Sequence, residues 1–262
     1  TPTPKPTPTP APTPTPAPTI EGEPTAEPIS TKVPRPDIEM IEIPTGPFTM
    51  GSDGSDPNEA PAHIVDLPTF FIDKFEVTNA DFAMFVEATG YQTEGEQRGD
   101  KKTWRTYFEG KENHPVVKMT FNDAQAFCEW MGRRLPTEEE WEKAARGTDE
   151  RDFPWGNLWD TTRANVKLTG LRSTAAVGSF SGGASPYGVE DMAGNVWEWT
   201  NSPYVAYPGS TYQDPQYSPE ARVTRGGGWF DDQKQVSTIN RSAALVETAN
   251  DDLGFRCVAD SR

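Results

Sequence analysis

Asp191-Met-Ala-Gly-Asn-Val-Trp-Glu-Trp-Thr200 is the stretch that decides the reading of this chain, and it is echoed by Arg225-Gly-Gly-Gly-Trp-Phe230 and Leu253-Gly-Phe-Arg-Cys257. Two tryptophans flank Glu198, which places a carboxylate that is costly to bury alone between two of the largest apolar side chains. Glu198 therefore needs a partner. A hard cation is one answer: Asp191 and Glu198 offer carboxylate oxygens, and the turn from Gly194 to Val196 can aim main-chain carbonyls at the same point. The other answer is an arginine in a polar core, with Asp191 only starting a turn. The residues alone leave both open.

Outside this stretch, composition narrows the classes. Half of the 26 prolines fall in the first 36 residues, alternating with Thr and Ala, and the three acids there cancel the three bases. Such a segment has nothing to bury and favours extended polyproline II, so residues 1–36 are expected to be a disordered, semi-rigid spacer. Thr-Pro spacers of this kind suit an extracytoplasmic setting; a cytosolic linker is the alternative. The formal charge of −16 then sits on residues 37–262, one domain with pI near 4.6 that repels nucleic acid and anionic membrane. No apolar run approaches the roughly 20 residues needed to cross a bilayer, so direct membrane insertion of this segment is not expected. The start lacks an initiator Met and a signal pattern, and an upstream domain or anchor is left open.

Ile38 begins a period-2 run ending at Pro44, and Gly46 to Ser52 reads as a second strand entering an acidic loop. Asp53, Asp56 and Glu59 lack EF-hand spacing and read as solvated charge. His63 to Leu67 and Phe70 to Val77 read as further strands. Thr78 opens a helix with Phe82, Phe85 and Val86 on one face and Gly90 as its stop. Residues 91–113 read as a long loop and Val116 to Met119 as a strand. A second helix from Asn122 carries Ala124, Phe127, Cys128 and Met131 on its inner face. A third starts at the capping box of Thr137 and Glu140, buries Trp141, Ala144 and Ala145, and ends at Gly147. Beyond Gly147 the sequence predicts no helix, only loops and short strands, so crosslinks or ions become plausible supports.

In this order, Ile43-Pro-Thr-Gly-Pro-Phe-Thr-Met-Gly-Ser52, Glu76-Val-Thr-Asn79, Arg134-Leu-Pro-Thr-Glu-Glu-Glu-Trp-Glu142, Phe153-Pro-Trp-Gly-Asn157 and the three motifs above resemble the formylglycine-generating enzyme family, or sulfatase-modifying factor domain. The resemblance spans about residues 38–262. It implies an α+β fold with little regular secondary structure, related to the C-type lectin core. It also implies a disulfide between Cys128 and Cys257, with two buried thiols as the alternative. Two calcium sites are implied: one at Asp191, Gly194, Val196 and Glu198, the other at Asn165, Val166, Thr169 and Leu171, where Thr169 replaces the expected aspartate.

Catalytic members bind copper through two cysteines that here match Asp231 and Val236, neither of which supplies a thiolate. An iron-dependent branch that makes carbon–sulfur bonds uses histidines, and this chain has only His63 and His114. The resemblance therefore points to a non-catalytic, calcium-stabilised binding or sensing module. Its expected ligand site is formed by Trp229, Asp231, Asp232 and Arg241, recognising a peptide or a carbohydrate. A vestigial site with Trp229 in the core is the bland alternative. The rival class is an oxidoreductase with a rewired metal site; copper or iron is not expected.

Overall fold

The computed structural model describes residues 34–261, so the spacer assigned to residues 1–36 falls almost wholly outside the described part. From Met40 the chain lays down β1 (Met40–Ile43), β2 (Gly46–Met50), β3 (His63–Leu67) and β4 (Phe70–Asp73). Strands β2 and β3 pair as a hairpin, whereas β1 pairs with β4, whose other edge takes the last strand, β9 (Val258–Asp260). Ile43, Phe70, Ile72 and Val258 pack from that sheet onto Trp141, Ala144 and Ala145. The acidic loop between β2 and β3 is not all solvated as expected. Glu59 is 3% exposed and accepts from Asn240 Nδ2 at 2.9 Å, because it closes a capping box on a short 3-10 turn at Pro57–Glu59.

The helices begin where their caps place them. Thr78, Thr120 and Thr137 each accept from the amide three residues on, and Asp81, Asp123 and Glu140 reach back to the cap, giving α1 (Asn79–Thr89), α3 (Phe121–Trp130) and α4 (Glu138–Arg146). Gly90 ends α1 in the left-handed conformation. The expected loop at 91–113 contains a short helix, α2 (Glu94–Arg98), and a 3-10 turn at Trp104–Tyr107 that buries Trp104. The expected strand at Val116–Met119 does not form: Lys118 is left-handed at φ 65°, and the run contributes buried Val116 and Met119 to the core instead.

After Arg146 no α-helix forms among the described residues, as the sequence implies. The expectation of only short strands is corrected, since β5 (Trp197–Tyr204) and β6 (Ser218–Arg225) have eight residues each. With β7 (Arg241–Leu245) and β8 (Leu253–Gly254) they form a four-stranded sheet in the order β7-β6-β5-β8, parallel only between β5 and β8. The three echoing motifs thus become three strand ends lying side by side. Cys128 of α3 and Cys257 between β8 and β9 are joined by a disulfide, tying the helical half to this sheet.

Candidate functional site

Alternation along β5 sends Trp197 and Trp199 to one face and Glu198 to the other. Glu198 is fully buried, and its partner is Arg256. Arg256 Nε and Nη2 donate to Glu198 Oε2 and Oε1, each at 2.7 Å, while Trp141 Nε1 donates to Oε2 at 2.8 Å. The remaining guanidinium donors reach the carbonyls of Asp73, Lys74 and Glu190. Of the two partners the sequence left open, the arginine is present.

That pair does not neutralise the region. Glu76 is 2% exposed and accepts from Asn195 Nδ2 at 2.7 Å and from the Val196 amide at 3.3 Å. Asp191, left-handed at φ 57°, accepts from the Gly178 amide at 2.7 Å. Burial pushes the Glu76 carboxyl well above its ordinary range, and the Asp191 and Glu198 charges push it further. Burial likewise raises Asp191, to about 6. Three buried carboxylates therefore share one guanidinium. Gly194 makes the turn before β5 feasible: at φ 77°, a Cβ there would sit 2.3 Å from the Asn165 carbonyl.

On the other face lies the position of the expected ligand site. Asp231 Oδ2 accepts from Trp197 Nε1 at 2.7 Å and from the Gly228 amide at 2.8 Å. Val236 is wholly buried against Phe153, Ala164, Val166 and Ala193. Trp229 is half-buried, with Nε1 donating to the Asp251 carbonyl at 3.4 Å, and Phe230 beside it is 60% exposed. Trp229 and Asp231 thus share one rim. Asp232 instead lines a separate cleft of about 690 Å³ with Asp56, Asp152, Asn157 and Lys234. Arg241 is buried: Nη2 donates to Glu138 Oε2 at 2.7 Å, and Nη1 donates to the Asn58 and Val205 carbonyls. Both terminal nitrogens donate inside the fold, so the structure does not bring it to the rim.

Sequence reasoning missed Arg256 as the partner of Glu198, Glu76 as a further buried carboxylate that repels it, and Asp252 and Thr224 as walls of the cleft beside Trp197. Glu76 and Arg256 lie within quoted motifs, which was the available signal; Thr224 and Asp252 carried none. The histidines remain on separate elements. His63 sits in β3 against Tyr207, and His114 Nδ1 lies 3.0 Å from the Thr174 hydroxyl.

The model of the sulfatase-modifying factor enzyme 1-like domain matches residues 26–261. The chain belongs to the sulfatase-modifying factor family. Formylglycine-generating enzyme of Bos taurus is 33% identical, over 87% of this chain and 76% of that protein. Inactive C-alpha-formylglycine-generating enzyme 2 of Mus musculus is 34% identical, over 85% of this chain and 86% of that one. Among solved structures, PvdO from Pseudomonas aeruginosa superposes with a TM-score of 0.71 at 26% identity, over 85% of this chain and 94% of that one.

The two calcium positions implied by the sulfatase-modifying factor family differ in their donors here. At Asn165 and Val166, the Thr169 hydroxyl donates to the Val166 carbonyl at 2.7 Å and lies 3.1 Å from Asn165 Oδ1, so a neutral hydroxyl links oxygens that a cation would otherwise bridge. Leu171 is 54% exposed. At Asp191 the donors suit a hard cation in kind, and the surplus of buried carboxylate supplies the charge. A carboxylate has about four lone-pair sites, and Glu198 has committed three, leaving one on Oε1. Among the described residues, no group of three or more His, Cys, Asp or Glu side chains is placed to hold a metal by side chains alone. Main-chain carbonyls of Gly194 and Val196 would have to complete the set.

Proposed function

We propose that this chain is a non-catalytic binding or sensing module of its family, stabilised by calcium at Asp191, Gly194, Val196 and Glu198. The observation that carries the reading is the fate of the thiols. Both cysteines are spent in the Cys128–Cys257 disulfide, and Asp231 and Val236 stand where the resemblance places the copper cysteines. A carboxylate and a buried valine cannot supply the soft thiolate pair that copper(I) prefers. Val236 is also sealed from the rim, so the position is closed by packing as well as by chemistry.

The ligand face is the rim of Trp229, Phe230 and Asp231, where aromatic surface lies beside charge, a combination suited to a peptide or a carbohydrate. The relatives include one named as inactive and others not so named at near-equal identity, so the reading rests on positions 231 and 236. The Thr/Pro-rich composition and the disulfide favour display outside the cytoplasm on the spacer. The test is turnover: purified protein is incubated with copper(I), oxygen and a cysteine-bearing peptide, and the peptide is mapped by mass. No conversion to formylglycine is expected; conversion that survives removal of contaminating enzyme would overturn the proposal.

A further inference from the structure

Phe153-Pro-Trp-Gly-Asn157, which neither the calcium position nor the Trp229 rim uses, opens a loop that lines a cleft of about 780 Å³ with Trp155, Asn157, Leu158, Trp159, Asp160 and Arg163. The Phe153 and Gly156 amides each donate to the other's carbonyl, closing a tight turn. Phe153 is buried, and Trp155 stacks on it with ring centroids 5.3 Å apart and planes 13° apart. Trp159 meets both rings, 5.1 Å from Phe153 and 5.9 Å from Trp155, so the two half-buried indoles make one tilted apolar wall. The Trp155 indole N–H donates to the Leu158 carbonyl at 2.9 Å, which fixes the ring, and the Leu158 side chain beside it is 84% exposed.

A second loop buttresses this wall. A Cβ on Gly183 would lie 2.0 Å from the Arg163 carbonyl and 3.5 Å from Trp155 Cε3, and Arg163 Nη1 donates to the Gly182 carbonyl at 2.7 Å. A surface ordered before binding spends none of its affinity on ordering. The charge is balanced. Arg163 Nε donates to Asp160 Oδ2 at 3.0 Å, and hydrogen bonds from Thr162 and then Arg163 hold the Asp160 carboxyl down, to about 2. The cleft therefore carries one paired charge of each sign within a chain of formal charge −16. Asn157 Nδ2 and Arg163 Nη2 make no hydrogen bond among the described residues and are left as donors.

We propose that this cleft is a carbohydrate site, taking a neutral oligosaccharide of hexose rings with equatorial substituents. Such a ring carries hydroxyls around its edge and bare C–H bonds on its faces. The faces match the indoles of Trp155 and Trp159, and the edge matches the planar polar groups of Asn157, Asp160 and Arg163. An acidic ligand would find the one cation already paired, and an apolar peptide would leave the free donors desolvated and unmet. The cleft shares no lining residue with the rim of Trp229, Phe230 and Asp231, so it adds a second ligand face to the binding-module reading.

The test titrates the full chain in calcium with cellohexaose, chitohexaose, hexagalacturonate and a neutral leucine–serine hexapeptide. Binding is read by calorimetry and by the Trp155 and Trp159 indole N–H resonances. At least one of the two neutral sugars is expected to move both resonances and to bind about tenfold or more tighter than hexagalacturonate or the peptide. Trp159→Ala should weaken that binding about tenfold or more, and Asn157→Ala, at an exposed side chain, about threefold. Trp159 also packs on the core, so if Trp159→Ala fails to fold, Asn157→Ala and the wild-type resonances decide. Unmoved Trp155 and Trp159 resonances with both neutral sugars, or equal or tighter binding of hexagalacturonate or the peptide, overturns the assignment. If a sugar moves only the Trp229 resonance, the binding-module reading stands and this site fails. If formylglycine forms in the turnover assay while a sugar still moves Trp155 and Trp159, the non-catalytic reading fails and this site stands.

Discussion

Asp191→Asn separates the two things that the buried carboxylates do. Asp191 makes one side-chain hydrogen bond, from the Gly178 amide, which an asparagine oxygen can still accept. What the substitution removes is charge. Holding Asp191 ionised against a pKa of about 6 rather than the usual 3.8 costs roughly 3 kcal/mol once the pH is well above both. Without calcium, the variant is therefore expected to be as stable as wild type at pH 8, or more stable by up to about that amount. With calcium, wild type should gain roughly 2.7 kcal/mol at a hundredfold excess over the dissociation constant, or roughly 5 to 10 °C in Tm for a domain of this size. The variant should gain little. Glu198→Gln tests the same site from the opposite side. It should lose most of the calcium increment and also about 2 kcal/mol from its charge-assisted pair with Arg256. The cost falls below the roughly 3 to 5 kcal/mol typical of a broken buried pair because Glu76 and Asp191 still face the guanidinium. Thermal melts in calcium and in chelator decide the matter. A full calcium increment in Asp191→Asn, or none in wild type after metal analysis confirms removal, would refute the reasoning.

Joint replacement of Cys128 and Cys257 by serine opens a loop with a sequence separation of 129 and should cost roughly 4 to 5 kcal/mol in the chain-entropy model, measured by denaturant unfolding. Asp191 at about 6 and Asp73 at about 7 are both raised by burial, so the stability they contribute is complete below the ordinary carboxylate range and lost as pH rises through 6 and 7. Calcium-free protein should accordingly melt lower at pH 8 than at pH 5.5, and a rise across that window would contradict the assignment. Glu142 bridges Arg225 and Arg146 in the buried interior and accepts from the Gly51 amide, so Glu142→Gln should lower stability by about 3 kcal/mol or more, read by melting.

The three longer helices were legible because their signals are local and each is followed by an apolar face: each Thr cap and its acidic partner lie three residues apart, whereas α2 has the same Thr93–Glu96 box but only five residues and no apolar stripe, and it reads as loop. The β5–β8 sheet was not. Glu198, Trp199 and Thr200 are all buried, so no polar alternation marks the strand, and its neighbours come from Arg225, Arg241 and Leu253, far along the chain. That sheet also weakens one motive for expecting an ion, since it supplies the ladder that the second half of the sequence reads as lacking. The stronger motive is charge, and it rests on Glu76, whose carboxylate meets the motif across 119 residues. Arg241 falls away from the rim for a similar reason: its partner, Glu138 of α4, lies 103 residues back and holds it inside.

The central claim, a calcium-supported module without redox chemistry, is tested most directly by metal analysis of protein isolated with calcium, copper and iron all available. About one calcium per chain is expected, lost in Asp191→Asn, with neither copper nor iron retained. Stoichiometric copper or iron, released by Asp231→Asn, would contradict the account.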